Sequence, residues 1–364
     1  MCPVATLPSL IGKTPDQLRE VVVSLGAKPF VAKQLAEWLY KKRETDFSRM
    51  TSLPVALREK LARSYSTLTS TVVTAEDSGE GTIKLALRLF DGPIIECVLM
   101  RESGEDGTSR VTACISTQAG CAMGCVFCAS GMLGLKRNLT AGEILEQIFQ
   151  LYYLSRMSPE HDAENWLHNV VVMGMGEPLH NFDALMGALE TLNAEWGFRF
   201  AARRITVSTV GLPDKIRELA AQGFQFNLAI SLHATTDEKR TQLIPTNVAT
   251  GLKNIIDAAA DYFKQTKREV TFEYTLVGGE NDQPDDAIRM IELLHDFPRA
   301  NVNLIPMNPV PGSGLKPPGT ERVEEFTRLL REGNINVHVR KKRGRSVQAA
   351  CGQLRLRLEA DTVA

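Results

Sequence analysis

The chain has 364 residues and a formal net charge of −1, a length that at roughly 150 residues per domain suggests about two domains. Hydrophobic residues at 43% and charged residues at 23% fit a soluble globular protein; they exclude a disordered acidic tail, a collagen-like repeat and a small disulfide scaffold. The longest apolar runs, such as Val170–Met173, are strand-sized, so no membrane span or membrane partner is expected, and the near-zero charge on its face argues against a nucleic-acid partner.

Met1-Cys2-Pro3-Val4 offers no basic region followed by an apolar stretch, so no secretory signal is expected and the chain reads as cytoplasmic. Reduced thiols are the rule in that compartment. The seven cysteines, Cys2, Cys97, Cys114, Cys121, Cys125, Cys128 and Cys351, therefore suggest metal binding or thiol chemistry.

Residues 1–69 read as a helical module. Thr14-Pro15-Asp16-Gln17 is a helix start with Pro in the first helical position. Further apolar faces follow at Phe30–Lys42 and Pro54–Tyr65. Residues 1–75 hold eleven basic against six acidic side chains, a local excess that reads either as a separate binding surface or as a solvated charge run. Residues 70–110 turn strand-like at Val72-Val73, Ile83–Leu87 and Ile94–Val98, with Gly- and Asp-bearing turns between them; a small antiparallel meander is expected.

From 111 to 335 strands and helices alternate. Strands are expected at Val111–Thr117, Asn169–Met173, Arg204–Ser208, Gln225–Leu232, Glu269–Leu276 and Asn301–Pro306. The helices between and after them begin near Ala141, Phe182, Pro213, Leu252, Asp285 and Glu321. Six such units predict an α/β fold, a partial (βα)6 barrel with a parallel sheet. Val170-Val171-Val172 is continuously apolar, as expected of strands covered on both faces. Thr140-Ala141-Gly142-Glu143 is a capping box. Residues 336–364 form a C-terminal segment.

In parallel barrels the loops after the strands make the active face. The loop after the first strand carries Cys121, Cys125 and Cys128 at C-x3-C-x2-C spacing. A structural zinc site wants four ligands, and no second C-x2-C pair follows. Three thiolates instead suit a [4Fe–4S] cluster with one iron open to an outside ligand. Gly174-Met175-Gly176-Glu177-Pro178 follows the second strand; Ser208, Ser231-Leu232-His233 and Met307-Asn308-Pro309 end later ones. Gly134–Leu139 and Ala349-Ala350-Cys351-Gly352-Gln353-Leu354 complete the set.

The cysteine loop resembles the signature of the radical S-adenosylmethionine (SAM) superfamily. The full set, from the N-terminal helices to about Leu354, closely resembles the radical SAM adenine methyltransferases of 23S rRNA and tRNA. One glycine of the superfamily's Gly-Gly-Glu-Pro-like motif is Met175 here. The resemblance implies a radical SAM barrel binding one cluster on Cys121, Cys125 and Cys128. It also implies SAM, two per turnover, on Gly176, Glu177, Ser208, Ser231, Leu232, His233 and Asn308. Methylation of C2 of adenosine is implied, with C8 as the close alternative. A methyl group carried on Cys351 would be joined to the ring, and Cys114 would break the resulting protein–RNA thioether as a disulfide. Glu96 reads either as the acceptor of the ring proton or as an outward residue of an alternating strand. An electron donor such as flavodoxin or ferredoxin is implied. Two other readings differ in kind: a radical SAM enzyme acting on a peptide, and a non-catalytic zinc-stapled RNA-binding module.

Seven basic and no acidic residues fall in 333–358, so Arg340, Lys341, Lys342, Arg343 and Arg345 are candidate phosphate contacts. That run departs from the family, which carries an acidic residue and Ile after the glycine. Net charge thus averages basic ends against an acidic centre, and the basic ends are the expected RNA surfaces. Cys2 and Cys97 read as incidental.

Overall fold

The computed structural model describes residues 7–103, 109–157 and 166–340. Cys2, Lys341, Lys342, Arg343, Arg345 and Cys351 lie outside them.

The N-terminal part is helical, as its sequence predicts. Helix α1 (Pro15–Ser24) starts at Thr14, whose hydroxyl accepts from the Gln17 N–H while the Gln17 side chain accepts from the Thr14 N–H. Helix α2 (Val31–Ala36) runs into a π-helical turn at Glu37–Lys41, and α3 (Val55–Ser64) follows a short 3₁₀ turn. Leu18, Leu35, Leu39 and Leu61 face inward and are fully buried.

Strands β1 (Thr71–Asp77), β2 (Thr82–Arg88) and β3 (Ile94–Ser103) form the expected meander. The meander is no separate sheet. Strand β4 (Ser109–Cys114) pairs antiparallel with β3 and parallel with β7 (Asn169–Val172). The first barrel strand is therefore the seam between two modes of pairing. It also stops at Cys114, three residues earlier than its sequence suggests. Residues 118–120 form β5 instead, which pairs with β6 (Leu135–Asn138) around the short helix α4 (Ala129–Met132).

Helix α5 (Ala141–Arg156) begins at the expected Thr140–Glu143 capping box. Helix α6 (Phe182–Asn193) follows β7, and β8 (Ile205–Thr209), α7 (Pro213–Ala221) and β9 (Asn227–Ser231) come next. Two short helices absent from the sequence reading, α8 (Asp237–Leu243) and α9 (Asn247–Thr250), precede α10 (Leu252–Thr266). Then come β10 (Val270–Leu276), α11 (Pro284–Leu294), β11 (Asn301–Pro306), α12 (Thr320–Glu332) and β12 (Asn336–Val339). The large sheet runs β1-β2-β3-β4-β7-β8-β9-β10-β11-β12. Six strand–helix units are present, and β12 adds a parallel edge strand beyond them.

One expectation fails: the barrel strands are not apolar on both faces. Register partners share a face, and the pairs Val170↔Ile205, Val207↔Leu228 and Phe272↔Val302 lie in the main core with the helices. The opposite face carries Thr112↔Asn169, Thr206↔Asn227, Thr271↔Asn301 and Glu273↔Asn303. A closed barrel fills its interior with branched apolar side chains; this partial barrel keeps a polar inner wall.

Candidate active site

The cysteine loop is built by close backbone approach. Gly120 has φ 82°, and a Cβ there would fall 1.9 Å from the Gly134 carbonyl, so only glycine lets β5 and β6 close. The Cys121 N–H donates to that same carbonyl at 3.1 Å. Cys128 donates to the Cys125 carbonyl at 3.2 Å, and Val126 to the Leu243 carbonyl at 3.1 Å. The loop is thus fixed from both sides.

Cys121, Cys125 and Cys128 line one cavity at the ends of the parallel strands. Burial pushes the Cys121 thiol up to about 12 and Cys125 well above its ordinary value; the neighbouring thiols and Glu177 add to the effect on Cys125. Such thiols become thiolates when a cationic centre takes up their charge. Among the described residues no group of His, Cys, Asp and Glu is arranged to hold a single metal ion. Three thiols around a shared cavity, two of them strongly desolvated, match the donor set of a cluster held by three cysteines.

The same cavity is lined by Gly176, Glu177, Ser208, Ser231, His233 and Asn308. Gly176 has φ 99°, and a Cβ there would meet Gln118 at 2.5 Å. The turn is tied to the first strand's loop: Met175 donates to Ser116 Oγ and Glu177 to Gln118 Oε1, both at 2.8 Å. Met175 itself is buried in the main core. Glu177 accepts from Leu179 N–H at 3.0 Å, Thr209 Oγ at 2.7 Å and Val210 N–H at 2.8 Å. Burial raises its pKa. A carboxylate offers about four acceptor positions, so protein donors use most of them.

Asn308 Oδ1 is buried with no hydrogen-bond donor among the described residues. A buried acceptor of this kind is costly unless a ligand donates to it, which fits a molecule bearing amino groups, as SAM does. His233 has φ 57° and accepts at Nδ1 from the Thr275 N–H at 2.9 Å. Burial, helped by the Arg240 charge, lowers its pKa to about 3, so the ring is neutral and carries its proton on Nε2. Leu232, expected among the SAM contacts, does not line the cavity: its side chain is in the main core and its carbonyl accepts from Arg240.

Cys114 ends β4, half-buried. Val98 is its register partner, and Glu96 lies two residues from Val98 on the same face. Glu96 is buried, which overturns the reading of it as an outward residue, and its Oε1 pairs with Lys84 Nζ at 3.3 Å. Neither Cys114 nor Glu96 lines the three-cysteine cavity. Cys97 is buried beside them, and no disulfide joins any of the five described cysteines. The Arg340 N–H donates to the Leu304 carbonyl at 2.8 Å.

The sequence reading missed Glu273, Thr275 and Phe127, which also line the cavity, and Arg240, which is fully buried near it. Alternation in Thr271-Phe272-Glu273-Tyr274-Thr275 carried the signal for the first two: the polar residues share one face. The Arg240 sequence context carried none.

Residues 9–66 match the ribosomal RNA large subunit methyltransferase N-terminal domain, and residues 115–291 match the radical SAM superfamily. The chain is 44% identical to a probable dual-specificity RNA methyltransferase RlmN 3 of Opitutus terrae, covering 97% of this chain and 96% of that one. It is 45% identical to a probable dual-specificity RNA methyltransferase RlmN of Geobacillus thermodenitrificans, covering 96% and 93%. A solved radical SAM methyltransferase from Sphaerobacter thermophilus superposes with a TM-score of 0.89 at 41% identity, over 96% of this chain and 99% of that one. With this near-complete likeness and a cluster-type thiol cavity at the strand ends, the chain belongs to the RlmN family of radical SAM RNA methyltransferases.

Proposed function

We propose that this chain methylates C2 of adenosine in 23S rRNA and tRNA. The observation that carries the reading is the meeting of Cys121, Cys125 and Cys128 with Gly176, Glu177, Ser208, Ser231 and Asn308 at one cavity. When bound there, a [4Fe–4S] cluster and SAM supply the one-electron chemistry that an electron-poor ring carbon requires. Two SAM molecules serve each turnover, one as the source of the methyl group and one as the source of the radical.

The chain's own residues divide the remaining work. Cys121, Cys125 and Cys128 hold the cluster as thiolates; Gly176 allows the close turn that presents Glu177, and Ser208, Ser231, His233 and Asn308 hold SAM. Cys351 carries the methyl carbon as a thioether; that carbon gives up one hydrogen atom to the SAM-derived radical and bonds to the ring. Glu96 accepts the ring proton, and the Cys114 thiol attacks Cys351 sulfur, releasing the methylated base and leaving a disulfide. Glu96 and Cys114 share one face of adjacent strands, which supports consecutive roles. A reduced flavodoxin- or ferredoxin-type protein supplies electrons. The helical module 1–69 and the basic run at Arg340, Lys341, Lys342, Arg343 and Arg345 hold RNA backbone while the target base leaves its stack. The meander 70–110 and barrel 111–335 carry the site, the C-terminal segment 336–364 brings Cys351 to it, and the enzyme acts in the cytoplasm.

Mass spectrometry of nucleosides from RNA treated with the reconstituted enzyme tests the assignment. 2-Methyladenosine is expected; 8-methyladenosine would sink the C2 reading. Full activity in Cys351→Ala would remove the methyl-cysteine route, and zinc with no iron–sulfur absorbance would point to a metal-stapled binding module.

A further inference from the structure

Arg240, on α8, is fully buried. Its guanidinium donates to the carbonyls of Leu232 at 3.0 Å, Ser231 at 3.0 Å and Val210, and to Asn247 Oδ1 at 2.6 Å. All these acceptors are neutral. A buried cation held only by neutral acceptors has given up its hydration without an ion-pair partner, which is costly unless an anion sits nearby. Burial pulls its pKa down to about 10, opposed by Cys125 first and Asp237 second.

The surroundings identify that anion. Val210 and Ser231, whose carbonyls hold the guanidinium, line the cavity of the three cysteines. Helix α8 is joined to the cysteine loop by the Val126–Leu243 hydrogen bond. Cys121, Met123, Val210, Ala234, Leu243 and Ile244 form one small apolar core around the junction. A charge held in such a low-dielectric setting is little screened by solvent.

We propose that Arg240 is the built-in counter-charge of the cluster site, fixed behind the wall that Val210 and Ser231 give the three-cysteine cavity, to favour the cluster's reduced, more negative state. Arg240 is a positioning residue: it touches no substrate and acts through the charge of the group on the cysteines. The inference rests on the reading that Cys121, Cys125 and Cys128 hold a cluster. Reduction adds one electron to that group, so a nearby fixed positive charge raises its midpoint potential. Asp237 carries the opposing charge, and it lies exposed in the first turn of α8.

The test is a mediated redox titration of the anaerobically reconstituted full chain, followed by EPR and absorbance, with iron and sulfide assayed. Arg240→Met is expected to lower the reduced-to-oxidised ratio at a fixed potential at least tenfold, about 59 mV for one electron. Arg240→Lys keeps the charge and loses hydrogen bonds, so the potential should stay near wild type while thermal stability falls. Asp237→Asn keeps an acceptor for the Leu252 N–H, which now donates to Asp237 Oδ1 at 2.8 Å, and should raise the potential. The Asp237 variant leaves the buried guanidinium in place, so it tests the sign even where Arg240→Met fails to load a cluster. An unchanged potential in a fully loaded Arg240→Met protein, an equal fall in Arg240→Lys, or no rise in Asp237→Asn overturns the inference. A wild-type chain that reconstitutes no iron–sulfur cluster would instead overturn the reading of the cysteines.

Discussion

Lys84 and Glu96 form an ion pair of 3.3 Å across β2 and β3, with each side chain 3% exposed. The same ammonium lies 3.4 Å from Glu76, which is 29% exposed on β1. One buried cation therefore serves two carboxylates, and its loss should cost more than the loss of either acid. Breaking a buried pair from one side typically costs about 3–5 kcal/mol. Lys84→Met is expected to reach that range in urea denaturation, whereas Glu96→Gln leaves Lys84 with Glu76 and should cost less. If Glu96 takes the ring proton, Glu96→Gln should also accumulate protein–RNA crosslink on denaturing gels. Equal stability of the two variants would contradict the shared-cation arrangement.

Gly176 and Gly79 both have positive φ, 99° and 74°, yet they differ in their surroundings. A Cβ at Gly79 meets nothing within 4 Å, whereas one at Gly176 meets Gln118 Cβ at 2.5 Å and its backbone N at 2.9 Å. Gly79→Ala carries only the left-handed penalty, about 1–2 kcal/mol. Gly176→Ala adds overpacking, for a total of about 2–5 kcal/mol. Displacing Gln118 also disturbs its 2.8 Å bond from the Glu177 N–H. SAM affinity, measured by equilibrium dialysis, should therefore fall in Gly176→Ala and hold in Gly79→Ala.

These contrasts also mark what was legible in the sequence. Capping at Thr14 and Thr140, the strand–helix alternation and the cysteine spacing are local patterns, and the chain shows them directly. The polar inner wall was hidden because Val170-Val171-Val172 offers no polar residue to reveal alternation, although Thr271, Glu273 and Thr275 do. Strand β12 follows a helix and is only four residues long, too short for periodicity to announce. Arg240 and Lys84 owe their burial to partners 30 and 12 residues away, Val210 and Glu96. Such long-range contacts leave no local pattern.

Glu146 joins the N-terminal helices to the barrel. Fully buried on α5, it accepts from the N–H and hydroxyl of Thr69 at 2.9 and 2.8 Å and from those of Ser70 at the same distances. Ser9 Oγ lies 3.4 Å from the same carboxylate. Glu146→Ala would strand these donors at the junction between the helices and β1, at about 1–3 kcal/mol for each one left buried and unpaired. Hydrogen exchange should report the loss first at residues 66–71, ahead of the barrel strands. Uniform loss of protection across the sheet would mean that the carboxylate supports the barrel core and not the junction.

His233 gives the fold a specific acid sensitivity. In the native state burial holds its pKa near 3, whereas an unfolded histidine titrates near pH 6.5. Between those values the unfolded chain binds one more proton at this site, so lowering the pH favours unfolding. The contribution is fully present above about pH 6.5 and is lost at roughly 1.4 kcal/mol per pH unit as acid is added. Glu146 and Glu177 have raised native pKa values and act in the opposite sense, because their protonation relieves the cost of burial. Comparison with His233→Asn cancels them. Asparagine tolerates the left-handed backbone at φ 57°, and its Oδ1 can accept the Thr275 N–H in place of Nδ1. Loss of the ring's edge-on contact with Phe127, at 4.8 Å between centroids, should lower stability at pH 7. Urea denaturation between pH 7 and pH 5 should then show the wild type losing stability faster, so the gap between the two proteins narrows on acidification. A gap that stays constant across this range would mean that His233 takes up its proton as readily in the folded protein as in the unfolded chain.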